Sequence, residues 1–294
     1  MNRARADESG AVIVLMAVAT VTLVAMAAMV VDVGSVLDEK RQLQNGADAG
    51  ALAIAHSCAF PGPCNDALAA GLADGNSRDG ASAAAVTHPT VGQVKVQTST
   101  LDGGTNILPY RFGQAFTGVK GKQVTATATA SWGPLGTAVA LPLAISQCDV
   151  QKLSIGTYSV ILFAGNPTCG SKDAAGAFGW LDGTCPATTF TAGMLATGDP
   201  GKSGPKGCLS TIAGTDVLVP VFVQVTGNGN NTVYRIVGFA AFHLTGWGFP
   251  GDESSPRPCG SSASCIAGTF VKFVTSTGVA GGTDFGASRV FLVS

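Results

Sequence analysis

The sequence predicts an α+β protein: a long N-terminal helix, then a small α+β unit, then a disulfide-rich, mainly-β domain. Three observations predict it. Ala11 to Val31 is an unbroken apolar run without charge, Gly or Pro, in which only Thr20 and Thr22 are polar. Stretches in which apolar and polar residues alternate recur from Val91 onward, the period of half-buried strands. All 8 cysteines lie beyond the apolar run.

Residues 1–10 form a polar leader with Arg3 and Arg5, and residues 11–31 follow as a membrane span. At about 1.5 Å per residue the run makes a helix of about 31 Å, close to the hydrocarbon thickness of a bilayer. The competing readings are a buried helix of a soluble core and a removable signal peptide. A signal's apolar region covers about 7–15 residues. Here Ala25-Met26-Ala27 would suit a peptidase, but the run continues to Val31, which favours a retained anchor.

From Asp32 the helix is expected to continue as a stem over 32–57. Val33, Val36, Leu37, Leu43, Ala47, Ala51 and Ile54 recur every three to four residues as one apolar stripe, and Asp38 to Gln42 supply the polar face. The far end of the stripe is small (Gly46, Ala47, Gly50, Ala51), which lets another backbone approach closely. Leu43, Gly46, Ala47, Gly50, Ala51 and Ile54 are therefore the packing candidates. Their partner is either the chain's own sheet or the stems of neighbouring subunits.

Glu8-Ser9-Gly10-Ala11, the span ending Val31-Asp32-Val33-Gly34, and the run Arg41-Gln-Leu-Gln-Asn-Gly-Ala-Asp-Ala-Gly-Ala-Leu-Ala53 carry a family resemblance. This segment resembles the N-terminus of TadE/TadG-like proteins of the Flp (Tad, tight-adherence) pilus-assembly machinery. Gly46 and Gly50 stand where such sequences more often have Ala. The resemblance implies a membrane-anchored, envelope-facing accessory protein whose partners are the lipid bilayer, pilin or pseudopilin subunits and other assembly proteins. It implies no catalysis by this segment. Prepilins of the system are cut after a Gly and carry Glu at the fifth mature position; Gly10 is present, but the fifth residue after it is Leu15. An uncut anchor is thus favoured, closer to TadG-related proteins than to the pseudopilins. The Asp-x-Ser-x-Ser metal motif of von Willebrand A domains found in some TadG-like proteins is absent.

Residues 58–133 make the small α+β unit. Pro61 and Pro63 end the helix inside a Cys58–Cys64 loop, and Asn65 is the expected cap of a second helix from Asp66 to Ala73 or Asn76. Val94, Val96 and Thr98 alternate with Lys95, Gln97 and Ser99; Tyr110 to Phe116 reads as a short helix, and Lys122 to Trp132 as a strand. Two helices and two strands against the stem resemble a pilin body.

Gly133-Pro-Leu-Gly136 reads as a boundary, which opens the β domain, 134–294. Strands are expected at Thr157–Ala164, Val217–Val225, Val233–Leu244, Thr269–Thr275 and Arg289–Val293. Val217, Val219, Val221, Val223 and Val225 should share one face, and Gly227 to Asn231 should close a hairpin. Phe178-Gly-Trp-Leu-Asp182, Tyr234 to Gly246, and Cys265 to Phe270 resemble the C-terminal region of TadG-related proteins.

Cys58, Cys64, Cys148, Cys169, Cys185, Cys208, Cys259 and Cys265 are disulfide candidates, since an even count beyond a membrane segment suits an oxidising compartment. Zinc sites more often use Cys pairs about 2–4 residues apart. Proximity favours Cys58–Cys64 and Cys259–Cys265 and leaves the middle four open. The cysteines also orient the span, with the N-terminus cytoplasmic and the C-terminal bulk outside a bacterial cell membrane.

A net charge of -1, 12% charged residues and no basic cluster beyond Lys40-Arg41 exclude a nucleic-acid surface. The three histidines, His56, His88 and His243, come with no nucleophile elbow, HExxH pair or calcium loop. Gly201-Lys-Ser203 lacks the first Gly of a phosphate loop, since Ala196 stands there. Trp180 and Asp182 read as a loop anchor in a small core. No enzyme, cofactor or metal is expected. The resulting expectation is an accessory protein of Flp/Tad pilus assembly that works by helix and domain packing. The alternative is a membrane-anchored surface adhesin or receptor that binds a ligand through its β domain.

Overall fold

The computed structural model describes residues 9–60, 63–163, 178–199, 204–227 and 231–293. Among them, residues of 1–54, 64–130 and 292–294 gather into one compact unit and those of 55–63 and 131–291 into a second.

The first unit is built on α1 (Ser9–Ala59), 51 residues long and so about 76 Å. Its polar residues do not interrupt it. Thr20 and Thr22 donate their hydroxyls to the carbonyls of Met16 (2.7 Å) and Val18 (2.9 Å), one turn back. After it come α2 (Leu68–Asn76), β1 (Ser82–Thr87) and β2 (Gln93–Thr100). Asn65 does not cap α2: Ala67 occupies the cap position without a side-chain bond, and Asn65 accepts from Leu68 through its backbone carbonyl.

β1 and β2 pair antiparallel, from Ser82 opposite Thr100 to Thr87 opposite Lys95. Val94, Val96, Thr98 and Thr100 of β2 are buried on alternate positions, so one face of the strand belongs to the core. Thr98 is accommodated there by donating to the carbonyl of Leu43 at 2.8 Å. The chain then forms β3 (Leu108–Pro109), α3 (Gly113–Thr117) and β4 (Gly121–Lys122), with Leu108 opposite Lys122. β5 (Thr125–Ala140) lies beside β2 and buries Ala126, Ala128 and Ala130. It continues as one strand through Gly133–Gly136, the segment read as a boundary. Gly281 donates to the Pro134 carbonyl at 2.7 Å and Ala280 lies opposite Leu135, so a strand-paired backbone overrides the local turn preference.

The second unit continues from residue 131. After β6 (Leu143–Ser146), α4 (Gln147–Lys152) is capped by the Ser146 hydroxyl, which accepts from the Asp149 amide. Next come β7 (Tyr158–Leu162), β8 (Phe178–Trp180), β9 (Thr188–Thr191) and β10 (Leu195–Thr197). β11 (Asp216–Thr226) and β12 (Val233–Phe249) form the expected hairpin, and β13 (Asp252–Glu253) folds back on the end of β12. β14 (Cys265–Val271) and β15 (Phe273–Thr275) divide what read as one strand. β16 (Val279–Ala280), β17 (Thr283–Asp284) and β18 (Ala287–Val293) complete the chain. The main sheet runs β7-β14-β12-β11-β6-β8.

Phe178, Phe242, Phe249, Phe270 and Trp180 fill one of its cores, with ring centroids 5.0 to 5.9 Å apart in tilted or edge contacts. The valines of β11 do not share one face. Register shifts between Val221 and Gln224 bury Phe222 and turn Val223 outward. A bulge adds a residue on one strand, and every side chain beyond it changes side.

Disulfides join Cys185 to Cys208 and Cys259 to Cys265, and Cys58, Cys64 and Cys148 are also disulfide-bonded. No free cysteine occurs among the described residues, so there the disulfide reading displaces the zinc one. Cys169 and Gly201-Lys-Ser203 lie outside the described residues.

Candidate functional site on the apolar helix and its Asp32 clamp

The large side chains in the lower part of α1 point outward along its whole length. Val12, Ile13, Leu15, Val18, Leu23, Met26 and Met29 are all more than half exposed. Within Gly10–Ala59 an 18-residue window reaches a mean hydropathy of 2.6 with 6% of it buried. A soluble core helix would be covered; this one presents an uncovered apolar surface of the length a bilayer requires.

Ala28 is the exception, being buried while its neighbours Met26, Met29 and Val30 are exposed. It lines a groove of about 470 Å³ between the helix and a later segment of the chain. Ala25, Ala28, Met29, Asp32, Val33 and Val36 line the helix side, and Tyr110, Gly113, Thr117 and Lys122 line the other. Residues 107–122 thus form a flap beside the end of the apolar run.

Asp32 fastens the flap. Its carboxylate accepts from the amides of Arg111 (2.8 Å), Phe112 (3.3 Å) and Gly113, at the start of α3. Burial opposes ionisation of Asp32, but the three amide donors outweigh it and hold the carboxyl below the ordinary aspartate range. A Cβ on Gly113 would sit 2.8 Å from the carboxylate Oδ2, so the approach depends on a glycine. The donors of this clamp lie 79 to 81 residues from Asp32, beyond the reach of any local pattern. Its only local signal is an acid placed directly after an apolar run.

The candidate stem-packing residues lie further along α1 and meet the chain's own first unit. Leu43, Ala47, Ala51 and Ile54 are fully or almost fully buried. A Cβ on Gly46 would come within 3.0 Å of the Ala73 Cα, and one on Gly50 within 3.4 Å of the Ala69 Cα and 3.5 Å of Val96. The small residues admit α2. Above the clamp, Asp38, Glu39, Asp79 and Asp102 share a polar pocket with Arg78 and Arg111. Burial pushes the Glu39 carboxyl up and the neighbouring acids add to this, against a hydrogen bond with Thr100.

The histidines are engaged in ordinary pairs. His88 Nε2 meets Asp66 at 3.1 Å, His243 Nδ1 meets Asp216 at 2.6 Å, and the His56 ring lies against Phe60 in the last turn of α1. Trp180 is buried against Phe249, as a core anchor is, and Asp182 is exposed. Among the described residues no group of three or more His, Cys, Asp or Glu is placed to hold a metal. The arrangement on α1 can hold and pack, and its chemistry is that of hydrogen bonds and apolar contact.

Residues 10–56 match the Tad family model, "Putative Flp pilus-assembly TadE/G-like". The Tad segment therefore begins and ends inside α1, taking in the exposed apolar run, Asp32 and the small-residue face, and everything from α2 onward lies outside the match. No curated protein matches the chain, and no solved structure does. The chain thus carries a segment similar to the TadE/G-like Flp pilus-assembly model, within a helix that is long and apolar enough to cross a membrane.

Proposed function

We propose that this chain is a single-pass, envelope-facing accessory protein of Flp/Tad-type pilus assembly, acting by packing against pilin or pseudopilin subunits in the membrane. One observation carries the reading: the segment that matches the Tad family opens with the run, Val12 to Val31, whose large apolar side chains the chain leaves uncovered. Helices in lipid associate by close packing rather than hydrophobic drive. The surface available for that lies on Val12 to Val30, because α2 already fills the Gly46 and Gly50 face. The disulfides favour a C-terminal bulk on the oxidising side, with the N-terminus cytoplasmic. Leu15, where a processed prepilin has Glu, favours an anchor retained uncut at Gly10.

The test is site-specific photo-crosslinking in cells that assemble pili. A crosslinker at Val18 should capture a pilus component, whereas one at Ala47 should yield only intramolecular products. Wild-type pili in a strain lacking this protein, together with no adduct from Val18, would overturn the proposal. Intact pili with loss of surface attachment would favour the adhesin reading instead.

A further inference from the structure

The flap stands at a depth that its role has to accommodate. From Gly10 to Val24, below the first helix residue that lines the groove, α1 rises only about 22 Å, short of the roughly 30 Å of a hydrocarbon core. If the apolar run crosses a bilayer, the residues that complete the crossing are the ones the flap flanks: Ala25, Ala28 and Met29. The flap then meets the lipid boundary and cannot stand clear in water.

Its composition suits that place. Residues 103–124 contain no Asp or Glu, and carry Arg111, Lys120 and Lys122. Arg111 lines the acidic pocket around Asp38 and Glu39, which leaves Lys120 and Lys122, both exposed, as the cations free to meet an anionic surface. Ile107, Phe112 and Val119 are 45%, 49% and 51% exposed, a set of large apolar side chains that water disfavours and the headgroup boundary accepts. Lys122 also lines the groove, where its stem can lie along apolar surface while its ammonium reaches the phosphates.

We propose that the 107–122 flap is a membrane-interface element. Ile107, Phe112 and Val119 dip into the outer headgroup boundary, Lys120 and Lys122 meet anionic phospholipid headgroups, and Asp32 fixes the flap to the helix at that depth. The proposal rests on α1 being a membrane span. Asp32 thereby has two tasks: its charge is satisfied by three amides at the edge of the hydrocarbon, and the same bonds set the height of the protein over the bilayer.

The experiment uses the full chain reconstituted in phosphatidylglycerol/phosphatidylcholine vesicles, with lipids brominated at a shallow or a deep acyl position as quenchers. Phe112→Trp should add a blue-shifted emission, over the background of the native tryptophans, that shallow bromines quench and deep ones spare. Val18→Trp should be quenched by deep bromines. Asp32→Ala should abolish the shallow quenching at position 112 and leave the deep quenching at position 18 intact. Replacing Lys120 and Lys122 by Gln should reduce shallow quenching in the anionic vesicles and not in vesicles of phosphatidylcholine alone. An unquenched, water-like Trp at 112 with a quenched Trp at 18 would overturn the flap proposal and keep the span. A blue-shifted but unquenched Trp at 112 would mean that protein, the chain's own or a second copy's, covers the ring and would overturn it equally. No quenching at 18 would remove the span itself.

Discussion

The two parts of α1, before and after Asp32, share one continuous helix and meet opposite surroundings. Before Asp32 the large side chains are exposed; after it Leu43, Ala47, Ala51 and Ile54 are buried, and Gly46 and Gly50 lie against the α2 backbone. The part after Asp32 follows a soluble helix, with Leu43 and Ile54 inside, and the part before it does the opposite, with its largest apolar residues outside. The difference teaches that the bulky part is left for a medium outside the chain, while the small part brings two backbones of one chain close together. A helix read by hydrophobicity alone would have assigned the interior to the wrong half.

The largest effect expected is the contrast between truncations in the two parts. Ile54→Ala or Leu43→Ala removes a buried side chain and should cost the first unit about 2–5 kcal/mol. Val18→Ala removes an exposed one and should change that unit's stability by no more than about 0.5 kcal/mol. Hydrogen exchange of the β1 and β2 amides in the detergent-solubilised chain measures both. Equal effects at the two sites would break the comparison.

Charge sharpens it in the other direction. Val18→Asp should oppose membrane insertion by about 2.5–3.5 kcal/mol and move the chain to the soluble fraction. Ala47→Asp should leave insertion intact and unfold the first unit, because it buries an unpaired carboxylate. Fractionation followed by limited proteolysis separates the two outcomes.

Glycines give a smaller contrast with opposite signs. A side chain on Gly34 would meet nothing within 4 Å, whereas one on Gly46 would press on the α2 backbone. Gly34→Ala should stabilise the helix by about 0.5–1 kcal/mol, since a helix interior favours Ala. Gly46→Leu should cost about 1–3 kcal/mol through overpacking. Thermal unfolding of the two variants decides. A neutral Gly46→Leu would mean that α2 is free to shift.

Much of this was legible in the residues themselves, for physical reasons that also mark where legibility ended. The apolar run, its continuation past Asp32, the β2 alternation and the β11–β12 hairpin depend on neighbours in sequence, so their periodicity announces them. The Cys259–Cys265 pair is local in the same sense. The bulges in β11 are set by its partner β12, and nothing in Val217 to Val225 alone warns that Phe222 and Val223 exchange faces. Gly133-Pro-Leu-Gly136 reads as a boundary, and nothing local shows that β16, paired from far along the chain, holds it as strand. The stripe on α1 was visible while its partner was not, since own chain and neighbouring subunit ask for the same small residues. Asp32 is the plainest case: its donors lie 79 to 81 residues away. An acid after a span reads simply as the place where the span ends.

The finest distinction along α1 is electrostatic, between Asp32 and Glu39, two turns apart on one helix. Asp32 feels a burial penalty that three amides overcome, and its carboxyl is held below the ordinary range; for Glu39 burial prevails, reinforced by Asp79, Asp102 and Asp38, and its carboxyl is held above. The signs of their pH dependence are therefore opposite. The stabilisation from Asp32 is fully present above the unfolded aspartate value of about 3.9 and is lost as pH falls through the lower value of the folded state. Glu39 binds its proton more tightly in the folded state than in the unfolded one. Its protonation thus adds stability as pH falls from above its raised folded value to the unfolded value of about 4.3. Hydrogen exchange of the Arg111, Phe112 and Gly113 amides should stay slow from neutral pH down to about 4 and then accelerate beyond the intrinsic pH trend. Asp32→Asn should already exchange fast at neutral pH, and Glu39→Gln should leave these three amides unchanged while abolishing the gain in first-unit stability on mild acidification. Opening of the flap well above the unfolded aspartate value of about 3.9 would show that the acidic pocket, rather than the Asp32 clamp, governs its attachment.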